Sequence, residues 1–127
     1  VNFEPSFRDV GAIEHHYLET GQFPVVRETV TVEKGQVLTR GALLGKKTTS
    51  SKFVLSAAKD EQEAAIEDGS QNPLRILAAD VDATERDKQA AVYVTGKFYK
   101  RGVQLGKGHS FESIKDALEL RSIYFED

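Results

Sequence analysis

The run Asp80-Val81-Asp82-Ala83-Thr84 sets two carboxylates two residues apart, with a threonine two residues further on. That spacing suits phosphoryl transfer. One carboxylate attacks phosphorus, the second serves as general acid/base, and Mg²⁺ neutralises the group in flight. A strand running into a loop would present Asp80 and Asp82 on the same side. The same residue types also have a plainer use, because Asp and Thr side chains satisfy backbone groups where a strand ends in a turn.

The elements around the motif decide between these uses. In haloacid-dehalogenase-type phosphatases, D-x-D-x-T follows the first strand of a parallel sheet wrapped by helices, and each crossover takes a dozen or more residues. This chain offers one convincing helix, at its C-terminal end. Asp80 and Asp82 therefore read as turn residues, and no catalytic residue, cofactor or metal site is expected.

Other motifs resolve the same way. GALLGK (41–46) and GVQLGK (102–107) each place three residues between glycine and Gly-Lys, whereas a phosphate-binding loop needs four, then Ser or Thr on a helix. Both read as β turns, and their likeness hints at an internal pseudo-repeat. His15 and His16 are adjacent and point oppositely on an extended chain, while ligands on one helix face want i, i+4 spacing. His109 lies far from both. Tyr93, Phe98 and Tyr99, beside Lys97, Lys100 and Arg101, could form a base-stacking sheet, but core packing accounts for Tyr93 and Phe98.

Composition narrows the class. The chain has 127 residues, 29% of them charged, and a net charge of −3, which indicates one domain with an arm or tail and no electrostatic footprint for nucleic acid. No apolar run approaches the ~20 residues that cross a bilayer. The first residues, VNFEPSFRDV, lack a basic n-region followed by an apolar stretch, so no signal peptide is expected. Cys, Met and Trp are absent, which excludes disulfides and thiolate metal sites. Without methionine, Val1 is expected to follow a processed or cut end.

Residues 1–34 stand apart. Pro5, Gly11, Gly21 and Pro24 interrupt any regular element there, and six acidic residues against three basic ones carry the chain's whole net charge. Only Val25 to Val32 (Val25, Val26, Arg27, Glu28, Thr29, Val30, Thr31, Val32) alternates like a strand. It is either part of a loose tail or an arm that orders on a partner by adding a strand to its sheet.

From Gly35 the pattern becomes β-rich. Two short apolar runs in GQVLTRGALLGKKT, then KFVLSAA (52–58), LRILAAD (74–80), QAAVYVTGKFYK (89–100) and GVQLGKG (102–108) read as strands. Asp68-Gly69-Ser70 and Asn72-Pro73 mark turns, and Gly96 marks a bend or bulge. Ser110 is placed as an N-cap before a helix whose apolar stripe is Phe111, Ile114 and Leu118. Ala117 widens that stripe, Glu112 suits the positive end and Arg121 the negative end. The tail SIYFED returns to an extended pattern that buries Ile123 and Phe125 if it joins the sheet. The expected fold is mainly β, a compact β-clip or barrel-like domain over 35–127 with one short C-terminal helix and an extended N-terminal arm over 1–34.

The succession GQVLTRGALLGK, KFVLSAA, the DGS turn, RILAADVDAT, KQAAVYVTGKF and IKDALELRSIYF resembles the head decoration (cement) proteins of lambda-like tailed phages over about residues 28–125. The resemblance implies a β-clip-like fold, a homotrimer at local three-fold positions on the outside of the expanded capsid, and stabilisation against internal DNA pressure. It implies the major capsid protein as partner, no cofactor, no catalysis, and no membrane or nucleic-acid partner. It places the protein on the virion after synthesis in the host cytoplasm, with Val25 to Val32 as the capsid-binding arm. The alternatives are a small β-clip or carrier-like binding module of bacterial metabolism, for which no lysine sits in an obvious attachment hairpin, and the Mg²⁺-dependent phosphatase using Asp80 and Asp82.

Overall fold

The computed structural model describes residues 24–127. Its strands are β1 (Val26–Val32), β2 (Val37–Leu38), β3 (Leu43–Lys46), β4 (Phe53–Leu55), β5 (Pro73–Leu77), β6 (Val81–Asp82), β7 (Lys88–Tyr99) and β8 (Ile123–Glu126), with helix α1 (Phe111–Glu119) between β7 and β8. Five strands run in the order β1-β4-β3-β5-β7, and pairing of β1 with β7 closes them into a barrel. β8 adds to β7 in parallel, from Gly96↔Ile123 to Tyr99↔Glu126. The two-residue strands β2 and β6 pair with each other and deliver Leu38 and Val81 to the barrel core.

Neighbouring residues on the long strands serve two different cores. Leu44, Leu77 and Val92 join Val30, Val32, Phe53 and Ala90 in the first cluster. Leu43, Ile76 and Tyr93 join Phe98, Val103, Ile114, Leu118 and Ile123 in the second, under the helix. Successive strand residues face opposite sides, so a wall covered on both faces needs an unbroken apolar run. That is why Leu43-Leu44, Ile76-Leu77 and Val92-Tyr93 show no polar alternation.

The helix forms as its sequence directs. Ser110 is the N-cap, with a reciprocal capping box between its side chain and that of Ser113. Ile114 and Leu118 are buried, while Phe111 is half-buried and Ala117 is exposed, so the apolar stripe is narrower than expected. The helix ends at Glu119 with no basic residue in its last turn. Arg121 lies beyond that end, and Ser122 takes φ 64° to redirect the chain into β8.

Two glycines are required by close approach. At Gly41, φ is 99° and an added Cβ would overlap the carbonyl of Gly102. At Gly96 a Cβ would lie 2.5 Å from the ring of Phe98, which fills the space the missing side chain leaves. The irregularity expected near Gly96 falls two residues earlier. Val26 pairs with Thr95 and Arg27 with Tyr93, so Val94 is the extra residue of a bulge. The alternation shifts there, which lets Tyr93 and Phe98 pack on the same layer, with ring centroids 5.2 Å apart.

Segment 102–108 departs from its expectation as a strand. It begins in a 3₁₀ turn, Lys100–Gly102, and makes one isolated parallel bridge, Ala42↔Gln104. Gly108 then turns away at φ 87°. The bridge nonetheless joins the two Gly-Lys segments side by side, with Leu43 N–H donating to Gln104 O at 3.0 Å and Gln104 N–H to Gly41 O at 2.9 Å.

Candidate functional site

Segment 25–32 is placed in the wall of the domain. β1 pairs with β7 along its whole length, from Val26↔Thr95 to Val32↔Lys88. Val30 and Val32 are buried in the barrel core, and Val25 packs on the helix-side cluster. Side chains hold the strand down as well. Arg27 stacks over Tyr93 at 5.2 Å, the Arg75 guanidinium donates to Glu28 Oε1 at 2.6 Å, and Gln89 Nε2 donates to Thr31 Oγ1 at 3.0 Å. Residues 26–32 thus pair and pack with the barrel that residues 35–127 build. Val30 and Val32 cannot enter a partner's pockets, because they already fill this chain's own core. Residues 1–23, including His15 and His16, lie outside the described residues.

What β1 does offer is an edge. On the side away from β7, its strand pairing among the described residues is the single position Val32↔Phe53, with β4. Elsewhere along β1 the strand ladders among the described residues are those with β7. Val26 is half exposed there, and Arg27, Glu28 and Thr29 are exposed.

The paired aspartates have turn roles. Asp80 Oδ1 accepts the backbone N–H of Arg40 at 2.8 Å, fixing the chain between β2 and β3. Asp82 Oδ1 accepts from Thr84 N–H at 3.0 Å and from its hydroxyl at 2.5 Å. The Thr84 hydroxyl and N–H hold the Asp82 carboxyl below the usual carboxylate range. Asp82, Thr84, Glu85, Arg86 and Lys88 line an open depression of about 430 Å³. The sheet beneath them is a barrel with one helix, not the helix-wrapped parallel sheet of the phosphatases. Among the described residues, no group of three or more His, Cys, Asp or Glu could hold a metal ion.

One polar contact escaped the sequence. Ser56 Oγ lies 3.1 Å from His109 Nε2, tying the end of β4 to the loop before α1, some 53 residues apart. Ser56 is fully buried, which makes it a packing partner and not an accessible nucleophile. Burial pushes the His109 pKa below its ordinary value, partly opposed by a hydrogen bond with the Gln71 backbone. No local spacing signals a pair this distant.

A five-strand barrel and a C-terminal helix give the setting for the comparison with known families. Residues 14–121 match the family model of bacteriophage lambda head decoration protein D. The chain belongs to that family. No curated protein matches it. The match spans the whole barrel and the helix, and it begins ten residues before Pro24, so the family pattern includes part of the segment upstream of β1. Membership makes this a head decoration protein of the phage capsid, in a family that is structural. Among the described residues, no helix is long and apolar enough to cross a membrane.

Proposed function

We propose that the protein binds the outside of the expanded phage capsid as a homotrimer at local three-fold positions, and that it stabilises the shell against internal DNA pressure. The observation that carries this reading is the family match over residues 14–121. The partner is the major capsid protein, and the reading needs no cofactor and no catalysis. Residues 1–23 act as the arm, and the exposed part of Val25 to Val32 acts as its base. A capsid strand adding to the open edge of β1, or to the arm upstream of it, supplies main-chain hydrogen bonds, and Val26 supplies an apolar contact.

The energetics need no strong single contact. A ligand that binds only the expanded lattice stabilises it by about 2.7 kcal/mol per site at a hundredfold excess over Kd. Three arms on one trimer raise avidity by about 10² to 10⁴ over one arm. Such a clamp would act where capsomers meet and the strain of packaged DNA is concentrated.

Electron cryomicroscopy of heads saturated with the purified protein tests the placement. Density for three copies around each local three-fold axis, on the outer surface only, is the expected result. Monomers scattered over capsomer centres would overturn it.

A further inference from the structure

The turn before β5 carries the chain's one Asp-Gly step, Asp68-Gly69. Asp-Gly is the aspartyl step most prone to isomerise, because no side chain crowds the glycine nitrogen. That nitrogen attacks the aspartate Cγ, its proton and a carboxyl oxygen leave as water, and a five-membered succinimide forms. Water then reopens the ring. Opening at the Asp68 α-carbonyl routes the backbone through the β-carboxyl, giving isoaspartate with the mass of the parent.

The fold needs both residues where they are. Gly69 sits at φ 98°, and a Cβ there would overlap Thr48 Oγ1 and lie 3.0 Å from the Lys46 carbonyl. Asp68 Oδ1 accepts from Ser70 N–H at 2.9 Å and from its hydroxyl at 2.5 Å. The Asp68 carbonyl accepts from Thr48 N–H at 2.8 Å. Ser70 is buried, and its carbonyl lies so close to Gly45 of β3 that a Cβ there would overlap it. Isoaspartate would add one backbone carbon at position 68 and pull this turn away from β3.

Two contacts oppose the attack. Gly69 N–H donates to Gln71 Oε1 at 2.8 Å, so the nucleophile gives up its proton only after that bond breaks. Gln71 is held in turn, because its backbone bonds the His109 ring and Asn72 N–H donates to Gly69 O at 3.2 Å. The electrophile is disarmed as well. The Ser70 hydroxyl holds the Asp68 carboxyl below its ordinary range, and an ionised carboxylate has no hydroxyl to lose.

We propose that Asp68-Gly69 is a latent isomerisation site and that the Gln71 side chain is its guard, keeping the glycine nitrogen from the neighbouring carboxyl while the turn is closed. Isomerisation then proceeds only from locally opened chains, at a rate set by how often the turn opens. The chemistry belongs to this chain alone and is tested without heads.

The full chain would be held at physiological temperature and neutral pH for several weeks. Isoaspartate at position 68 would be followed by peptide mapping with electron-transfer fragmentation. The same chain in concentrated urea gives the unguarded rate, and the folded parent should isomerise at least about tenfold more slowly. Gln71→Ala, or Gln71→Met if alanine prevents folding, should speed the folded reaction roughly two- to tenfold, the effect of losing one hydrogen bond. Gln71→Glu keeps an acceptor at the same reach and should stay near the parent rate. Val32→Ala loosens the core away from the turn and should also stay near it. Equal rates for folded and urea-treated parent would overturn the proposal. So would parental rates in both folded variants that lack the acceptor. Equal acceleration by Val32→Ala would overturn it too, because protection would then come from global stability and not from Gln71.

Discussion

Replacing Val32 with alanine separates a barrel strand from a free arm. Val32 is fully buried between Val30, Phe53 and the β7 ladder, while Val26, on the same strand, is 51% exposed. Val32→Ala removes two methyl groups from a closed core. At about 0.8 kcal/mol per buried carbon the transfer loss is about 1.6 kcal/mol, and incomplete collapse of the cavity brings the total to about 2–3 kcal/mol. For a domain of this size, 1 kcal/mol lowers Tm by roughly 4 °C, so the expected loss is about 8–12 °C. Val26→Ala should fall within about 0.5 kcal/mol of the parent, as surface changes usually do. Both variants would be followed by thermal unfolding at one fixed protein concentration, because the proposed trimer would unfold in a concentration-dependent way. An unchanged Tm for Val32→Ala, coupled to weakened head binding, would refute the placement of β1 and restore the free arm.

Truncation draws the same line more coarsely. Residues 24–127 should give a folded protein by circular dichroism, whereas 35–127, which lacks β1 and opens Leu77 and Val92 to solvent, should bind ANS and unfold without a cooperative transition. Asp80→Asn and Asp82→Asn should each retain head binding, and the parent should show no Mg²⁺-dependent turnover of a phosphatase substrate; turnover abolished by either change would revive the enzyme reading. His109 gives a pH signature. Its folded pKa is depressed, so the unfolded chain binds the proton more readily. Stability is therefore full above the ordinary value of 6.5 and falls as the pH drops through it toward the lower folded value. Tm measured from pH 8 to 5 should show that slope, and His109→Gln should flatten it. The depressed carboxyls of Asp68, Asp82 and Asp87 act only lower, as pH falls below their unfolded value of 3.8.

Much of the fold was legible because local chemistry and tertiary structure agree. Ser110, Ile114 and Leu118 announce the helix by cap and spacing, and turn residues at 68–70 and 72–73 bound the strands as expected. Ala117 and the segment 102–108 were misread for related reasons. An alanine on the edge of a stripe carries too little area to be drawn inward. A glycine-rich run with one bridging residue has a strand's composition without a strand's ladder. The open question was β1. Alternation of Val26, Val30 and Val32 identifies a strand but not its partner, because a strand that closes its own barrel and one that completes another protein's sheet bury the same face. The Ser56–His109 contact was hidden for want of any local signal. The DVDAT run lies where β6 ends and the chain turns. Its carboxylates hold the backbone of Arg40 and Thr84, as residues ending a strand do.

The most direct test of the account is co-sedimentation of the full chain and of residues 24–127 with expanded and unexpanded heads. Saturable binding of the full chain to expanded heads alone, with binding weakened or lost for 24–127 although it remains folded, is the predicted result. Equal binding to both kinds of head, or binding to neither, would contradict a clamp that recognises the expanded lattice.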